Sequence, residues 1–203
     1  MNDFISRAFG GRRRVPEEFA DRLPPGQYYE TGFPVLTAGP TPKVSLDDWR
    51  MHVDGMVGAT RAWSWEAFHE LPFENVPCDI HCVTKWSKLE TSFGGVSVDT
   101  LLADADPRGQ YAMAYCEGGY TTNLSLDDLT GGKAWVVTEF EGSQLPREHG
   151  GPARLLVPHL YFWKSAKWIT GLRIMDHDEP GFWEQNGYHT RGDPWKEQRY
   201  WGD

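Results

Sequence analysis

Several features that would mark other protein classes are missing from this 203-residue sequence. It has only three cysteines, an odd number and too few for a disulfide scaffold, so we expect a reducing, cytoplasmic compartment. No apolar run approaches the roughly 18 residues of a membrane helix, because Pro158 and His159 interrupt the best candidate at 155–163. Basic residues are scarce: 20 Lys and Arg against 29 Asp and Glu give a net charge of −9, which disfavours nucleic acid and anionic lipid as partners.

The N-terminal residues 1–25 combine a basic run with loop-forming residues. Arg12, Arg13 and Arg14 resemble a twin-arginine export signal, but the sequence Val-Pro-Glu-Glu follows where an apolar segment would be needed. We therefore predict a mobile basic arm without an export function. Docking of this arm to a partner or a membrane surface is the alternative.

The region at 26–178 is predicted to be one domain built mainly of strands, since 22 glycines and 14 prolines keep its segments short. Trp49, Met51 and Val53 alternate with polar residues, which is the period of a half-buried strand. Ser64 and Ser125 are placed to cap short helices. Because no regular βαβ alternation is present, the fold class is α+β. Aromatic and β-branched runs predict further strands at 111–116, 134–140, 154–157 and 168–175.

The C-terminal tail at 179–203 is rich in aromatic residues set among glycines and charges. We predict that it wraps the domain, with its rings in surface grooves; a partner-binding surface is the alternative. The rings concerned are Trp183, Tyr188, Trp195, Tyr200 and Trp201.

The segment at 78–86 carries the most chemistry in the chain. Three interpretations of Cys78 and Cys82 stay open: small buried hydrophobic residues, a zinc site, or a single thiolate ligand to the metal of a cofactor. A zinc site would need a second Cys/His pair at ligand spacing, which the sequence lacks. His81 and Asp79 are expected to form a structural hydrogen-bonded pair, with a proton relay as the alternative.

Three motifs in register carry a resemblance to a known family. Residues 79–87 (Asp-Ile-His-Cys-Val-Thr-Lys-Trp-Ser) resemble the metal-ligand segment of the sulfite-oxidase-fold, molybdopterin-dependent oxidoreductases, and most of all their small bacterial single-domain members. The second motif is the run from His149 to Pro158, with Arg154 five positions after the histidine. The third is Ser165-Ala166-Lys167 before Trp168.

The resemblance implies a sulfite-oxidase-type α+β fold of mixed sheets with short helices, and a molybdenum–molybdopterin cofactor. Cys82 would be the metal ligand and the catalytic residue, while Arg154 and Lys167 would bind the phosphate of the cofactor. Other positions that match the cofactor-binding residues of the family are His149, Ser165, Ala166, Thr122, Asn123 and Tyr29, together with Tyr28 and the loop at 36–39.

The implied activity is the transfer of an oxygen atom to or from a small sulfur- or nitrogen-containing substrate. Electrons would pass singly to a separate haem- or quinone-linked partner. Sulfite oxidases carry arginines just after their ligand cysteine, whereas Lys85, Trp86 and Ser87 follow here, so a sulfite site is disfavoured. The alternatives are a zinc-stabilised or metal-free interaction domain, and a non-catalytic carrier of molybdopterin.

Overall fold

The computed structural model describes residues 15–203, so the arginine run at 12–14 lies outside the described part of the chain. Eleven strands in this part form two mixed sheets. Sheet A contains β1 (Tyr28–Tyr29), β4 (Phe73–His81), β5 (Trp86–Ser97), β8 (Trp135–Phe140), β9 (Ser143–Gln144) and β10 (Arg154–Leu156). Sheet B contains β2 (Arg50–Gly55), β3 (Arg61–Ser64), β6 (Tyr111–Cys116), β7 (Thr121–Ser125) and β11 (Ile169–Met175).

Most strand pairs are antiparallel, but β1 runs parallel to β5, and β2 runs parallel to β11. The order in sheet A is β1-β5-β8-β10, with β4 on β5 and β9 on β8; the order in sheet B is β3-β2-β11-β6-β7. The predicted strand at 111–116 is confirmed. The alternation at 49–53 is also confirmed, since Trp49, Met51 and Val53 are buried.

The helices are short, as predicted, and serine caps begin three of them. Ser64 accepts a hydrogen bond from the backbone N–H of Ala67, and Ser125 accepts one from that of Asp128, which satisfies backbone donors at each helix start. The α-helices of the described chain are α1 (Trp65–His69), α2 (Val98–Leu102), α3 (Leu126–Leu129) and α4 (Phe182–Gln185). None of the helices in residues 15–203 is long and apolar enough to cross a membrane.

Two clusters of buried hydrophobic residues make up the core. The larger combines side chains from both sheets, such as Val53 and Leu172 of sheet B with Val136 and Leu155 of sheet A. The smaller contains Cys82 and a group of aromatic residues from widely separated parts of the chain. The cysteine segment is therefore set against an aromatic part of the core.

Both ends of the described chain pack against this body. Residues Glu17–Arg22 form a 3-10 helix, and Arg22 donates two hydrogen bonds to Asp79, of 2.9 and 2.6 Å. In the tail, Trp183 and Tyr188 pack against the smaller core cluster, and Arg199 donates to the hydroxyl of Tyr161. The two chain ends thus reach the vicinity of the cysteine segment.

Candidate functional site

A cavity of about 510 Å³ lies beside the smaller core cluster. Its walls come from the loop at 33–42, the turns at 82–86 and 117–120, the segment at 162–168 and the tail at 182–188. Six of the residues that the motifs predicted to act together line it, namely Cys82, His149, Arg154, Ser165, Ala166 and Lys167. The three motifs therefore meet at one place in the fold.

Cys82 sits on the turn that follows β4. The strand ends at His81, and the backbone N–H of Lys85 donates to the carbonyl of Cys82 at 2.9 Å, with Lys85 at a positive φ of 76°. The strand therefore stops directly before the thiol. Because the backbone turns here, Cys82, Val83 and Thr84 all line the cavity instead of alternating between two faces.

The surroundings of the Cys82 sulfur act on its ionisation in two directions. Burial raises the pKa of this thiol. The Thr84 hydroxyl, which donates to Sγ at 3.1 Å, lowers the pKa, as do the backbone N–H groups of Thr84 and Val83 and the charge of Lys167. The site thus offers hydrogen-bond donors and a nearby cation to a thiolate.

The expected pairing of His81 with Asp79 is wrong. His81 Nδ1 is hydrogen-bonded to the Ser87 hydroxyl at 2.8 Å, and burial lowers the pKa of His81 to about 4. Asp79 instead accepts from Arg22 and from the backbone N–H of Glu90. Neither residue lines the cavity. Asp79 is turned toward the N-terminal 3-10 helix, where Arg22 lies.

Two cations lie in the cavity wall without acidic partners. Arg154 donates to the carbonyls of His149 at 2.7 Å and Ser165 at 2.6 Å, while Lys167 donates to those of Leu36 at 2.7 Å and Glu148 at 2.6 Å. Burial lowers the pKa of Arg154 to about 9. Burial, and then the charge of Arg154, lower that of Lys167 to about 8. Within residues 15–203 no carboxylate oxygen lies within 4 Å of either cation, so neither is part of an ion pair.

Gly150 allows these two cations to come together. Its φ of +113° is in the left-handed region, and a Cβ at this position would lie 3.0 Å from the Cβ of Arg154 and 3.2 Å from the backbone of Lys167. A side chain directly after His149 in the second motif would therefore collide with Arg154 and Lys167, which explains the glycine there. It brings the second and third motifs into contact.

Two polar atoms of cavity-lining residues are buried without a hydrogen-bond partner in the described chain, His149 Nδ1 and Trp86 Nε1. The His149 ring stacks on Phe33, with centroids 3.8 Å apart and planes 12° apart. Burial, followed by the charges of Lys167 and Arg154, lowers the pKa of His149 to about 4, so the ring is neutral at pH 7. A buried polar atom without a partner costs about 1–3 kcal/mol. A ligand that hydrogen-bonds to either atom would remove the cost for that atom.

Four predicted contact residues, Tyr28 among them, lie outside the cavity wall. Thr122 and Asn123 belong to β7, where Thr122 donates to Glu184 at 3.0 Å and Asn123 donates to Asp178 at 2.6 Å. Tyr29 belongs to β1, and its ring packs on Phe19. Thr122, Asn123 and Tyr29 thus use their side chains within the protein and do not line the cavity, and their contact with a cofactor stays a prediction. The loop at 36–39 does line it, as predicted.

The cavity-lining residues that the sequence analysis did not assign to the site are the aromatic ones. They come from five separate segments, and no local spacing connects them. The available signals are Trp86 and Trp168, which belong to the first and third motifs, and the run Tyr-Phe-Trp at 161–163. The aromatic lining consists of Phe33, Trp86, Tyr120, Phe162, Trp163, Trp168, Phe182, Trp183 and Tyr188.

The sequence profile of the family described as oxidoreductase molybdopterin binding domain matches residues 38–183. The chain belongs to this family. The match spans all three motifs and the cavity residues between them. The sequence is also 40% identical over 196 residues to the uncharacterized oxidoreductase YuiH of Bacillus subtilis (strain 168), covering 95% of this chain and 98% of that protein.

More distant relatives are longer than this chain. It is 26% identical to the protein-methionine-sulfoxide reductase catalytic subunit MsrP of Gluconobacter oxydans, covering 75% of this chain and 57% of that protein. It is also 26% identical to the sulfite oxidase of Gallus gallus, covering 73% of this chain and 39% of that protein. Among solved structures, the sulfane dehydrogenase SoxCD from Paracoccus pantotrophus matches with a TM-score of 0.61 and 19% identity, covering 87% of this chain and 57% of that chain. The sulfite-oxidase-type fold is thereby confirmed.

Membership in the family makes the chain a molybdenum–molybdopterin-dependent oxidoreductase. The cavity fits such a cofactor by the chemistry of its donors: a thiol, two unpaired cations and two polar atoms without partners. The zinc alternative has no support in the structure, since no three Cys, His, Asp or Glu side chains of residues 15–203 are grouped to hold a metal ion.

Proposed function

We propose that this oxidoreductase transfers an oxygen atom to or from a small neutral sulfur or nitrogen compound at a molybdenum bound by the thiolate of Cys82. The observation that carries the proposal is the position of the Cys82 thiol, which shares one cavity wall with the unpaired cations Arg154 and Lys167. When bound, the cofactor supplies two-electron oxygen-atom exchange coupled to one-electron steps with a separate carrier.

The chain's own residues would prepare the sulfur for this role. A metal-binding cysteine must be a thiolate, and the donors around Cys82 favour that form against the effect of burial. The Thr84 hydroxyl and the backbone N–H groups of the turn direct partial positive charge at Sγ. The turn therefore holds the sulfur in one orientation, at the cavity surface.

The cation end of the cavity would hold the organic part of the cofactor. Arg154 and Lys167 are suited to its phosphate, since each is fixed by backbone carbonyls and has no carboxylate to compete with an anion. The neutral ring of His149, with Nδ1 unpartnered, is suited to a hydrogen bond with the pterin edge. Ser165 and Ala166 would contribute backbone atoms, because the Ser165 hydroxyl already accepts from Val157.

The charge distribution favours a neutral substrate over sulfite. Arg154 and Lys167 are the only Lys or Arg side chains of residues 15–203 that line the cavity, and the phosphate would occupy both. Lys85, three residues after the thiol, does not line it. The aromatic wall suits an apolar body, and the name of the MsrP relative, a methionine-sulfoxide reductase subunit, supports a sulfoxide. In that direction the sulfoxide takes up two electrons and two protons to give the sulfide and water.

We further propose that the electrons come from a separate haem- or quinone-linked protein. The sequence has no Cys-x-x-Cys-His haem motif, and the activity needs an external one-electron donor or acceptor. A cytoplasmic location is part of the proposal, because Cys78, Cys82 and Cys116 are free cysteines.

The ligand assignment is tested by X-ray absorption at the molybdenum edge on holoprotein from a molybdenum-competent host. Cys82→Ser should remove one sulfur scatterer from the metal and abolish turnover. The matched control Cys78→Ser changes a half-buried thiol outside this cavity, and should leave the spectrum unchanged. A Cys82→Ser protein that keeps its sulfur count contradicts the assignment.

The substrate class is tested by assaying the same holoprotein with an artificial one-electron dye. Dimethyl sulfoxide and trimethylamine N-oxide probe the neutral class, and sulfite probes the anionic class at matched concentrations. We expect turnover with a neutral oxide and none with sulfite. Efficient sulfite oxidation would overturn the substrate proposal and leave the ligand assignment intact.

A further inference from the structure

A buried ion pair lies directly behind the aromatic wall of the cavity. Lys164 Nζ is 2.6 Å from Glu184 Oε1, and both side chains are completely buried. Removing two charges from water has a large desolvation cost, so such a pair adds little net stability compared with an apolar pair of similar size. The role of this ion pair therefore depends on the groups that it holds in place.

Glu184 Oε1 is the acceptor on which these groups converge. It accepts hydrogen bonds from the indole N–H of Trp163 at 2.9 Å and from the hydroxyl of Thr122 at 3.0 Å. Lys164 also donates to the backbone carbonyl and the side-chain oxygen of Asn123, at 2.8 and 2.9 Å. One carboxylate thus joins β7, the segment at 161–168 and the tail helix α4.

Each member of the pair directly follows a tryptophan that lines the cavity: Trp163 precedes Lys164, and Trp183 precedes Glu184. Tyr188 completes this group, with its ring centroid 5.1 Å from that of Trp163 and 4.8 Å from that of Trp183. We call Trp163, Trp183 and Tyr188 the aromatic corner. Its rings come from two distant segments of the chain, and the carboxylate behind them links those segments.

We propose that Glu184, held by Lys164, is a positioning residue that sets the Trp163 indole in the aromatic corner and thereby determines which neutral substrates the enzyme prefers. The inference rests on the proposed function, because it assigns the corner to the substrate. Thr122 and Asn123 act through the same group. Glu184 itself is fully buried and absent from the cavity lining, so it contacts neither substrate nor cofactor.

The test compares two double variants that differ in one acceptor. Lys164→Met with Glu184→Leu removes both charges and the acceptor for Trp163, whereas Lys164→Met with Glu184→Gln removes the charges but keeps an amide oxygen for the indole N–H. The probes are dimethyl sulfoxide, which is small, and methyl phenyl sulfoxide, which carries a ring. The readouts are kcat and KM for both sulfoxides, molybdenum per chain, and the Kd of methyl phenyl sulfoxide by calorimetry on the holoprotein.

In the variant with leucine, we expect the ratio of kcat/KM for the two sulfoxides to change about five-fold or more, which is the size expected for losing one buried hydrogen bond. The change should appear mainly in KM, and the Kd of methyl phenyl sulfoxide should change in parallel. Molybdenum per chain should not change. The variant with glutamine should bring the ratio back to within about two-fold of the wild-type value, because a neutral acceptor replaces a charged one. Asp128→Asn is the control, because it breaks another largely buried ion-paired carboxylate, bound to His159 and Arg191, that does not line the cavity.

An unchanged ratio in the folded leucine variant, or a glutamine variant that fails to restore it, overturns the inference. If the leucine variant does not fold, the single variant Glu184→Gln is measured instead. Its ratio of kcat/KM for the two sulfoxides should change about two-fold in the same direction, because the charged acceptor becomes a neutral one. No change there also overturns the inference. Wild-type enzyme that turns over neither the sulfoxides nor trimethylamine N-oxide overturns the proposed function instead. The comparison of Kd values then still tests the role of Glu184.

Discussion

The guanidinium carbon of Arg154 lies 3.9 Å from the centroid of the Phe162 ring. On its edge the same group donates to two backbone carbonyls, so its plane is fixed from two directions. A carboxylate partner within 4 Å is absent from the described chain. The protein therefore orients a buried cation in advance, and an incoming anion meets a donor that needs no reorganisation.

Replacing Arg154 should release the cofactor. Arg154→Met removes a donor to the phosphate, and a hydrogen bond to a charged group is worth about 1.5–3 kcal/mol, which corresponds to about 10–150-fold weaker binding. Molybdenum per chain after extended dialysis measures the effect. The control Arg173→Met changes an arginine of β11 that pairs with Asp54 away from the cavity, and should retain the metal. Full molybdenum occupancy in Arg154→Met would count against the phosphate site.

Cofactor retention should decrease as the pH rises above about 8. The pKa of Lys167 is lowered to about 8, so without a bound anion the ammonium loses its proton near that pH. An anion stabilises the protonated form, and by linkage the form that binds more protons is favoured at low pH. The rate of cofactor release between pH 7 and 9.5 measures this dependence. Lys167→Arg should flatten the profile, because arginine stays charged; a flat wild-type profile would contradict the prediction.

Removing the Thr84 hydroxyl should make Cys82 harder to ionise. Thr84→Val keeps the side-chain shape but removes the donor 3.1 Å from Sγ, so the pKa of the thiol should rise. The pH dependence of Cys82 alkylation in cofactor-free protein, resolved by peptide mass spectrometry, gives this value. Thr84→Ser keeps a hydroxyl and should behave as wild type. Equal pKa values in both variants would show that the hydroxyl has no influence.

The N-terminal ion pair should contribute little to stability. Arg22→Ala breaks the hydrogen bonds to Asp79, but both side chains are partly exposed, so the free energy of unfolding should fall by about 1 kcal/mol or less. Leu155→Ala, in the fully buried core, should lower it by about 2–5 kcal/mol. Urea denaturation of both variants compares the two values. A larger loss for Arg22→Ala would mean that the 3-10 helix stabilises the cysteine segment.

The parts of the fold that could be predicted are those with strong local signals. The alternation at 49–53 and the serine caps at 64 and 125 depend on neighbouring residues only, and each is found as predicted. The hairpin of β4 and β5 was not predicted, because Pro77 and the pair Gly94-Gly95 are typical of loops. Pro77 is tolerated because β4 is an edge strand that, within residues 15–203, pairs with β5 alone.

The site was predictable to the extent that motifs carry it. Cys82, His149, Arg154 and Lys167 belong to motifs with fixed spacing, and the structure brings them to one cavity. The rings of the aromatic corner have no such spacing, since they come from two separate segments that folding brings into contact. Thr122 and Asn123 lie outside the cavity for a related reason, because their side chains bind a buried ion pair whose members lie far along the chain.

The walls of the cavity have a consequence for the order of events in the cell. Phe33 and Tyr188 face the same space, yet the ribosome makes them more than 150 residues apart. A nascent chain that has already produced the thiol and the basic motifs still lacks one side of the chamber. The complete chamber therefore exists only once the tail has been translated and has packed against the rest of the protein.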